Sequence, residues 1–200
     1  MAAVVLGAGR GQRFGFTPKL LSRLGGRTLV EHTLSATCAA PVRPIVVVTG
    51  RRHAAVRAAV RRVEVPRSRI RVARNRAYRT GMASSLRVGI AALPGHCDAA
   101  LICLGDMPML RRRDIQRLHH AWRPGLDYLR AGSPQRPGHP VVIGRALFPA
   151  LLALDGDRGA QRILDAVPDA RAGWFEDAGL IEDIDTPRAL RNLRRRCRPR

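Results

Sequence analysis

The sequence predicts an α/β fold built around a mainly parallel central sheet. Short apolar runs typical of buried strands alternate with amphipathic segments of roughly ten residues that favour helices. Such alternation is typical of βαβ units, in which helices cover the faces of a parallel sheet. A ligand is then expected at the carboxyl ends of the strands.

Five apolar runs predict the strands in chain order: 2–6, 44–48, 70–73, 99–104 and 141–143. The run 99–104 is the most apolar, so we expect it near the centre of the sheet. The helices are predicted between and after them, at 28–38, 51–62, 84–93, 111–122, 146–154 and 159–167. A last helix is expected to begin at Pro187 with Thr186 as its N-cap.

The length of 200 residues suits one domain with a sizeable core. We expect that domain over residues 1–190, followed by a flexible basic tail over 191–200. No apolar stretch is long enough to span a bilayer and no signal-peptide pattern is present, so we expect a cytoplasmic protein. The four cysteines lack metal-ligand spacing and are expected to be incidental thiols.

The net charge is +21, and it is concentrated in the first half of the chain. Residues 1–97 contain only two acidic residues, Glu31 and Glu64. Such a field attracts polyanions, whether nucleotides, phosphorylated cofactors or nucleic acid. Only one of the 36 basic residues, Lys19, is a lysine. A lysine is a compact point charge that arginine does not copy, so this position is informative.

Lys19 follows a glycine-rich segment over residues 7–15, directly after the first strand. A glycine-rich loop with one lysine can hold phosphates through backbone N–H groups. A dinucleotide fingerprint fails because Gln12 stands at its third glycine and no acidic residue follows the second strand. A Walker P-loop fails because Pro18 and Leu20 flank Lys19. We interpret residues 4–19 as a segment that binds the triphosphate of a nucleotide.

Two further features suit a nucleotide and a metal. Residues 75–85 form a polar turn into a helix, whose first N–H groups can face a nucleotide. Asp106 stands where the most apolar strand ends, and a lone carboxylate there suits Mg²⁺, which also takes phosphate oxygens and water. Asp183 and Asp185 would point to the same side of an extended segment, and either could be a second ligand.

The loop and the later motifs resemble the MobA/MocA-like NTP transferase family, the molybdenum-cofactor nucleotidyltransferases. The resemblance covers about residues 3–190. The matching loop residues are Leu6, Ala8, Gly9, Arg13, Phe14, Gly15, Pro18, Lys19, Leu20 and Leu21. The later matches are Asn75, Tyr78, Gly81, Met82, Ser84, Ser85, Leu86, Gly105, Asp106, Pro108, Gly138, His139, Pro140, Val141, Gly156, Asp157, Gly159, Ala160, Asp183, Asp185, Thr186 and Pro187.

The resemblance implies a three-layer, Rossmann-like fold of the GT-A type and transfer of a nucleoside monophosphate from an NTP to a phosphorylated acceptor. It implies catalytic roles for Lys19, Arg13 and Asp106. The implied nucleotide-binding residues are Leu6, Ala8, Gly9, Arg13, Lys19, Thr49, Asn75, Gly81, Ser84 and Ser85. Mg²⁺ would be bound by Asp106 and Asp185. The alternative role for Asp185 is to stabilise the positive end of the dipole of the helix that follows it.

On the acceptor side, the resemblance implies binding roles for His139 and Arg158, with a surface-loop arginine as the alternative for the latter. The other histidines receive no role: His32, His53, His96, His119 and His120. Ala8 in the loop favours CTP over GTP, although Gly7 departs from the cytidylyltransferase pattern, and molybdopterin is the favoured acceptor. A molybdoenzyme partner would then receive the product, whereas nucleic acid and membrane are not expected as partners.

Two rival functions stay open at this stage. The basic charge suits a nucleic-acid-binding protein, but aromatic residues are only 4% of the chain and stacking platforms are therefore few. A protein that binds the finished cofactor and delivers it without turnover is the other rival. Release of pyrophosphate separates the transferase from both.

Overall fold

A computed structural model describes residues 1–9, 14, 18–64, 69–155, 160–175, 184 and 186–197. Their centre is a seven-stranded sheet covered by helices on both faces, which confirms the predicted fold class. The helices on one face pack on alternate strand residues, as the two-residue period of a strand dictates. In the described part of the chain, no helix has the length and apolarity needed to cross a membrane.

The sheet has the strand order β5-β4-β1-β6-β8-β7-β9. Its strands are β1 Ala2–Gly7, β4 Ile45–Thr49, β5 Ile70–Arg74, β6 Ala99–Leu104, β7 Tyr128–Gly132, β8 Pro137–Gly144 and β9 Ala172–Phe175. Only β8 runs against the others, so the sheet is mainly parallel. A separate hairpin pairs β2 Arg23–Leu24 with β3 Arg27–Thr28.

Seven helices accompany these strands in the described ranges. They are α1 Leu29–Ala39, α2 His53–Arg61, α3 Met82–Ala91, α4 Arg112–Ala121, α5 Phe148–Leu152, α6 Gln161–Asp165 and α7 Pro187–Arg196. Helix α1 begins with a capping box, in which Thr28 and Glu31 satisfy each other's backbone N–H groups. Thr186 caps α7 by accepting a hydrogen bond from the Ala189 N–H, and Pro187 follows as predicted.

Two apolar layers hold the helices to the sheet. On one face, α1, α2 and α4 pack on side chains such as Val5 and Leu101. On the other face, α3, α5 and α6 pack on side chains such as Val4 and Ile102. Burial of these aliphatic side chains contributes about 25 cal/mol for each Å² removed from water. The layers fix the strand ends, on which the polar residues of interest lie.

A third, smaller cluster joins the ends of the chain. It contains Phe14, Leu24, Leu29, Ile184, Leu190 and Leu193. Helix α7 contributes two of these side chains, three residues apart on one helical face, and runs through Arg196. Residues 191–196, which the sequence analysis assigned to a basic tail, are therefore helical. The guanidinium of Arg194 donates to the carbonyl of Arg23 in the hairpin at 2.8 and 3.0 Å.

The sequence analysis did not predict β7, β9 or the hairpin. Strand β7 reads Tyr-Leu-Arg-Ala-Gly, so a buried arginine and a glycine interrupt its apolar pattern. Strand β9 begins with alanine and glycine and lies at the sheet edge, where burial is only partial. Both strands are specified by pairing with neighbours rather than by their own composition.

Candidate nucleotide site

Four parallel strands end at one edge of the sheet and bring the predicted site residues together. Leu6 of β1 lies level with Val48 of β4 and with Leu104 of β6. Ala8, Gly50 and Asn75 directly follow β1, β4 and β5, and Asp106 comes two residues after the end of β6. This edge is where ligands bind in open α/β sheets, as the sequence analysis expected.

Lys19 and Asp106 form an ion pair at the centre of this edge. The Nζ atom of Lys19 contacts Oδ2 of Asp106, and the two side chains are 14% and 12% exposed. Lys19 opens a short 3-10 turn after Pro18, and its Nζ also lies 5.9 Å from the centre of the Phe14 ring. The pair places one cation and one hard carboxylate oxygen side by side, largely out of water.

The backbone of the turn that carries Asp106 is held on three sides. The Gly105 N–H donates to the carbonyl of Leu6 at 2.9 Å, and the Ile184 N–H donates to the carbonyl of Asp106 at 3.4 Å. The Met107 N–H donates to Oγ1 of Thr33 at 3.1 Å, and Thr33 is fully buried in α1. Fixed backbone on both sides limits where the carboxylate can point.

The start of the glycine-rich loop presses against the turn after β4. Ala8 is buried, and a methyl group added at Gly50 would lie 2.6 Å from its carbonyl oxygen and 2.8 Å from Cβ of Tyr78. Gly50 is therefore required by close approach. Gly9 is exposed and has no heavy atom within 4 Å of an added Cβ, which leaves open space beside its backbone. Leu6 is partly buried beneath them.

A buried hydrogen-bond network holds the N-terminus of α3. The Asn75 amide donates to Oγ of Ser84 at 2.8 Å and to Oγ of Ser85 at 3.0 Å. Ser84 in turn donates to the carbonyls of Gly81 at 2.8 Å and Ala77 at 3.1 Å. The Gly81 φ of 116° lies in the left-handed region that favours glycine. These side chains position the helix N-terminus, which can itself receive an anion.

Thr49 ends β4 and bonds to a histidine that the sequence analysis set aside. Its Oγ1 lies 2.7 Å from Nδ1 of His53 and donates to the carbonyl of Ala73 at 3.2 Å. Burial, followed by the charges of Arg74 and Arg57, lowers the pKa of His53 below its ordinary value. A neutral imidazole is thereby favoured beside the predicted nucleotide-binding threonine.

His139 lies on the other half of the same edge. Strand β8 pairs Val141 with Ile102 of β6, and His139 precedes Val141 by two residues, in the direction of the carboxyl end of β6. The side chain is partly buried, and burial and the nearby Arg130 lower the pKa of His139 to about 4. His139 is therefore neutral near pH 7 and close to the strand that ends at Asp106.

Three predicted site residues lie outside the described ranges: Arg13, Arg158 and Asp185. Ile184, the residue before Asp185, is described, and its contact with Asp106 is given above. Within the described ranges, no group of three or more His, Cys, Asp or Glu side chains could hold a metal ion together. Of the two predicted metal ligands, Asp106 and Asp185, Asp106 lies in the described ranges and Asp185 does not.

Sequence reasoning missed Thr33, His53 and Arg130. Thr33 lies 74 positions before Met107, so no local pattern links the two. His53 lies four residues after Thr49, a spacing that could have drawn attention to it. Arg130 lies in a strand that the sequence did not predict, and only its burial in the fold distinguishes it from the other arginines.

The amino-acid sequence matches a known protein family and a relative of similar length. The sequence profile of the MobA-like NTP transferase domain matches residues 3–171. Nicotine blue oxidoreductase from Paenarthrobacter nicotinovorans is 34% identical over 206 residues, covering 96% of each chain. The sequence relationship therefore extends over nearly the whole chain.

Solved structures show the same architecture. Rv0371c from Mycobacterium tuberculosis H37Rv superposes with a TM-score of 0.81 and 27% identity over 97% of both chains. A structure of Rv0371c complexed with manganese gives a TM-score of 0.76 and 24% identity over 97% of both chains. A nucleotidyl transferase from Methanothermobacter thermautotroptrophicus gives 0.79 and 26%, over 98% of this chain and 96% of that one.

Proposed function

The chain belongs to the MobA-like NTP transferase family, and we propose that it transfers a cytidylyl group from CTP to a phosphorylated acceptor, with molybdopterin as the favoured acceptor. The family membership and the nucleotidyltransferase fold stand on the match over residues 3–171 and on the solved relatives. The base, the acceptor and the metal are parts of the proposal. So are a cytoplasmic location and a molybdoenzyme that receives the product.

The single observation that carries the proposal is the Lys19–Asp106 pair at the carboxyl ends of β1 and β6. The one lysine in the sequence, which follows a glycine-rich segment, contacts the acid that comes two residues after the end of β6. Nucleotidyl transfer needs a cation for the triphosphate and a carboxylate for a divalent metal at one place. Separate structural roles for the two residues would not require them to meet.

The reaction is an in-line displacement at the α-phosphorus. An oxygen of the acceptor phosphate forms a bond to the α-phosphorus, the bond from that phosphorus to the β-bridging oxygen breaks, and pyrophosphate leaves. Lys19 moves from Asp106 to the triphosphate, where its ammonium offsets developing negative charge. Backbone at Ala8 and Gly9 and the N-terminus of α3 bind the remaining phosphate oxygens. Positioning and charge supply the rate, so no nucleophilic side chain is needed.

Asp106 fits a divalent metal by the chemistry of its donor atoms. It is a hard carboxylate, mostly buried, on a turn fixed by three backbone hydrogen bonds. Mg²⁺ prefers one or two carboxylates together with phosphate oxygens and water, so one described acid suffices. Asp185 is proposed as the second ligand. When bound, the ion would neutralise charge on the α-phosphate. The manganese complex of Rv0371c supports a divalent ion in this fold.

The choice of CTP rests on Ala8, the third residue of the Leu6-Gly7-Ala8-Gly9 sequence. Alanine at this place resembles the cytidylyltransferases of the family, whereas glycine is typical of the guanylyltransferases. Ala8 is buried in the apolar layer that contains α3, and its backbone lies close to Gly50, so the residue at this position affects the start of the loop. GTP is the second candidate, and the experiment below separates the two bases.

The relative named nicotine blue oxidoreductase motivates a second candidate, an oxidoreductase. Its identity of 34% over nearly the full chain is the observation in favour. Against it, the loop lacks the third glycine of a dinucleotide fingerprint at Gln12, and Arg51 and Arg52 follow β4 where an acidic residue would bind the ribose. Oxidation of NADH or NADPH by the purified protein with nicotine blue supplied as the electron acceptor, measured at 340 nm, tests this candidate directly.

The test is Mg²⁺-dependent release of pyrophosphate from each of the four NTPs in the presence of molybdopterin. The wild type is compared with Asp106→Asn, which removes the charge and keeps the size. Asp98→Asn is the matched control, because Asp98 is exposed and precedes the opposite end of the same strand. Release with CTP that Asp106→Asn loses and Asp98→Asn keeps supports the proposal. Release with GTP overturns the base, and no release with any NTP overturns the transfer to molybdopterin.

A further inference from the structure

Strand β7 carries a buried cation that the reaction described above does not use. Arg130 is only 8% exposed, and a charged side chain is rarely buried to this extent. Its Nε donates to the carbonyl of Gly138 at 3.0 Å, and its Nη1 donates to Oε1 of Gln161 at 2.8 Å. Both partners are neutral acceptors, so they fix the orientation of the guanidinium without neutralising its charge.

No carboxylate in the described ranges forms an ion pair with Arg130. The charge of Asp165 acts on Arg130 from a distance and offsets part of the lowering of its pKa by burial, but Asp165 accepts a hydrogen bond from the Gln161 amide at 2.5 Å rather than from the guanidinium. The amide thus stands between the acid and the guanidinium. Buried cations in proteins are ordinarily paired, and an unpaired one is costly to retain. A bound anion would supply the missing charge.

The guanidinium points toward the edge of the sheet that holds Asp106. Arg130 pairs with Val141 of β8, which pairs with Ile102 of β6. Its Nε reaches Gly138, three residues beyond Val141 in the direction of that edge. Strands lie about 4.8 Å apart, so β7 is roughly 10 Å from the strand of Asp106. An anion of a small substrate at Asp106 can span this distance.

The neighbouring residues suit an anion rather than a cation. His139 lies in β8 between Pro137 and Val141, which both pair with β7, and it is close enough for the charge of Arg130 to lower its pKa. The neutral imidazole can donate one hydrogen bond without adding charge. The Nη2 group of Arg130 makes no hydrogen bond to a described residue. It is also not fully buried, because His119 Nδ1 is the one fully buried side-chain nitrogen or oxygen without a partner in the described ranges. The second guanidinium nitrogen therefore keeps some solvent contact.

We propose that Arg130, oriented by Gly138 and Gln161 and flanked by His139, binds a phosphate-type oxyanion of the acceptor substrate. The assignment of this anion to the acceptor rests on the proposed transferase function; the anion site itself does not. The three strands β6, β8 and β7 would thus divide the edge into a nucleotide half at Asp106 and an acceptor half at Arg130. Arg130 supplies directional donors that a lysine would not match.

The test measures binding of inorganic phosphate by calorimetry at constant ionic strength, set with chloride so that the net charge is equally screened. The protein is first saturated with Mg²⁺ and the non-hydrolysable analogue α,β-methylene-CTP, which occupies the triphosphate site. Arg130→Gln is compared with Arg136→Gln, an exposed arginine at the β7–β8 turn. We expect phosphate binding to weaken about tenfold or more in Arg130→Gln and to stay within about twofold in Arg136→Gln. Equal affinities in the two variants, or no phosphate binding to the wild type, overturn the proposal.

A second measurement covers the case in which Arg130→Gln does not fold. In the wild type, the Arg130 Nε–Hε resonance is identified as the one that Arg130→Lys removes from the ¹⁵N spectrum. Titration with phosphate is expected to shift this resonance with the affinity found by calorimetry, and an unmoved resonance contradicts the site. Should phosphate bind here while no NTP is turned over, the anion site stands and the transferase fails. Turnover with an unchanged acceptor KM in Arg130→Lys rejects the site and retains the transferase.

Discussion

Replacement of Gly50 by alanine tests whether the contact between the glycine-rich loop and β4 shapes the nucleotide site. The added methyl group would lie 2.6 Å from the Ala8 carbonyl oxygen, 2.8 Å from Cβ of Tyr78 and 3.0 Å from Cα of Ala8. The first contact is 0.8 Å short of the 3.4 Å at which ordinary contact begins. Two of the three atoms are backbone, so the loop itself must move.

We expect this overpacking to destabilise the protein by about 1–3 kcal/mol. For a domain of this size, each kcal/mol lowers the melting temperature by roughly 2–4 °C. Because the atoms that must move carry Ala8 and Gly9, the affinity for Mg·CTP should also fall, by about tenfold for each 1.4 kcal/mol of distortion transmitted to the bound state. Calorimetry and thermal unfolding of the same preparation give the two quantities.

Gly95→Ala is the matched control, because an added Cβ there has no heavy atom within 4 Å. It should change the free energy of unfolding by no more than about 0.5 kcal/mol and leave nucleotide affinity unchanged. Equal stability of the two variants would refute the close approach at Gly50. A less stable Gly50→Ala protein that binds Mg·CTP normally would show that the loop contact is structural and does not shape the site.

Three other substitutions test the positioning network and the acid side of the stability profile. Thr33→Val removes the acceptor for the Met107 N–H, so it should lower kcat and also lower the free energy of unfolding by about 1–3 kcal/mol. Thr37→Val is the control, because it removes a bond within α1 and a contact with Cys103 but none with the turn that carries Asp106, and it should leave kcat unchanged. Burial raises the pKa of Glu31, but hydrogen bonds from Thr28 and Arg62 outweigh burial and lower the pKa below its ordinary value of 4.5. The stability that these bonds supply is therefore present above about pH 4.5 and is lost as the pH falls through the lowered pKa. Glu31→Gln should therefore be less stable than the wild type at pH 7, by about 1–3 kcal/mol, with the difference shrinking in denaturant titrations below pH 4.5; a constant difference would contradict the assignment. Because the folded protein holds His139 neutral down to about pH 4, the unfolded chain binds the extra proton between pH 6.5 and 4, and His139→Gln should lose less stability than the wild type over that interval.

The sequence predicts those parts of the molecule that depend on local pattern. The apolar runs at β1, β4, β5 and β6 were enough to place the central parallel strands and the edge at which they end. Lys19 could be singled out because it is the one lysine in the sequence, and in the structure it forms an ion pair with Asp106. These inferences succeed because strand periodicity and strand direction are set by the backbone, whatever lies elsewhere in the chain.

The remaining features depend on contacts between distant segments. The bond from Met107 to Thr33 joins two residues whose proximity only the packed α1 creates. Strand β7 was missed because Arg130 interrupts its pattern, and the reason for burying that arginine is visible only once Gly138 and Gln161 are placed beside it. Gly50 looks like an ordinary turn glycine until the loop carrying Ala8 is seen against it.

We propose that the residues around Lys19 and Asp106 catalyse transfer of the nucleoside monophosphate group of an NTP. The most direct measurement follows label from CTP to molybdopterin in parallel reactions with [α-³²P]CTP and [γ-³²P]CTP. We predict that α-label enters the acceptor product, that γ-label appears only in pyrophosphate, and that Asp106→Asn loses both while Asp98→Asn keeps them. Transfer of γ-label to the acceptor, or release of α-label only as free CMP, would contradict it.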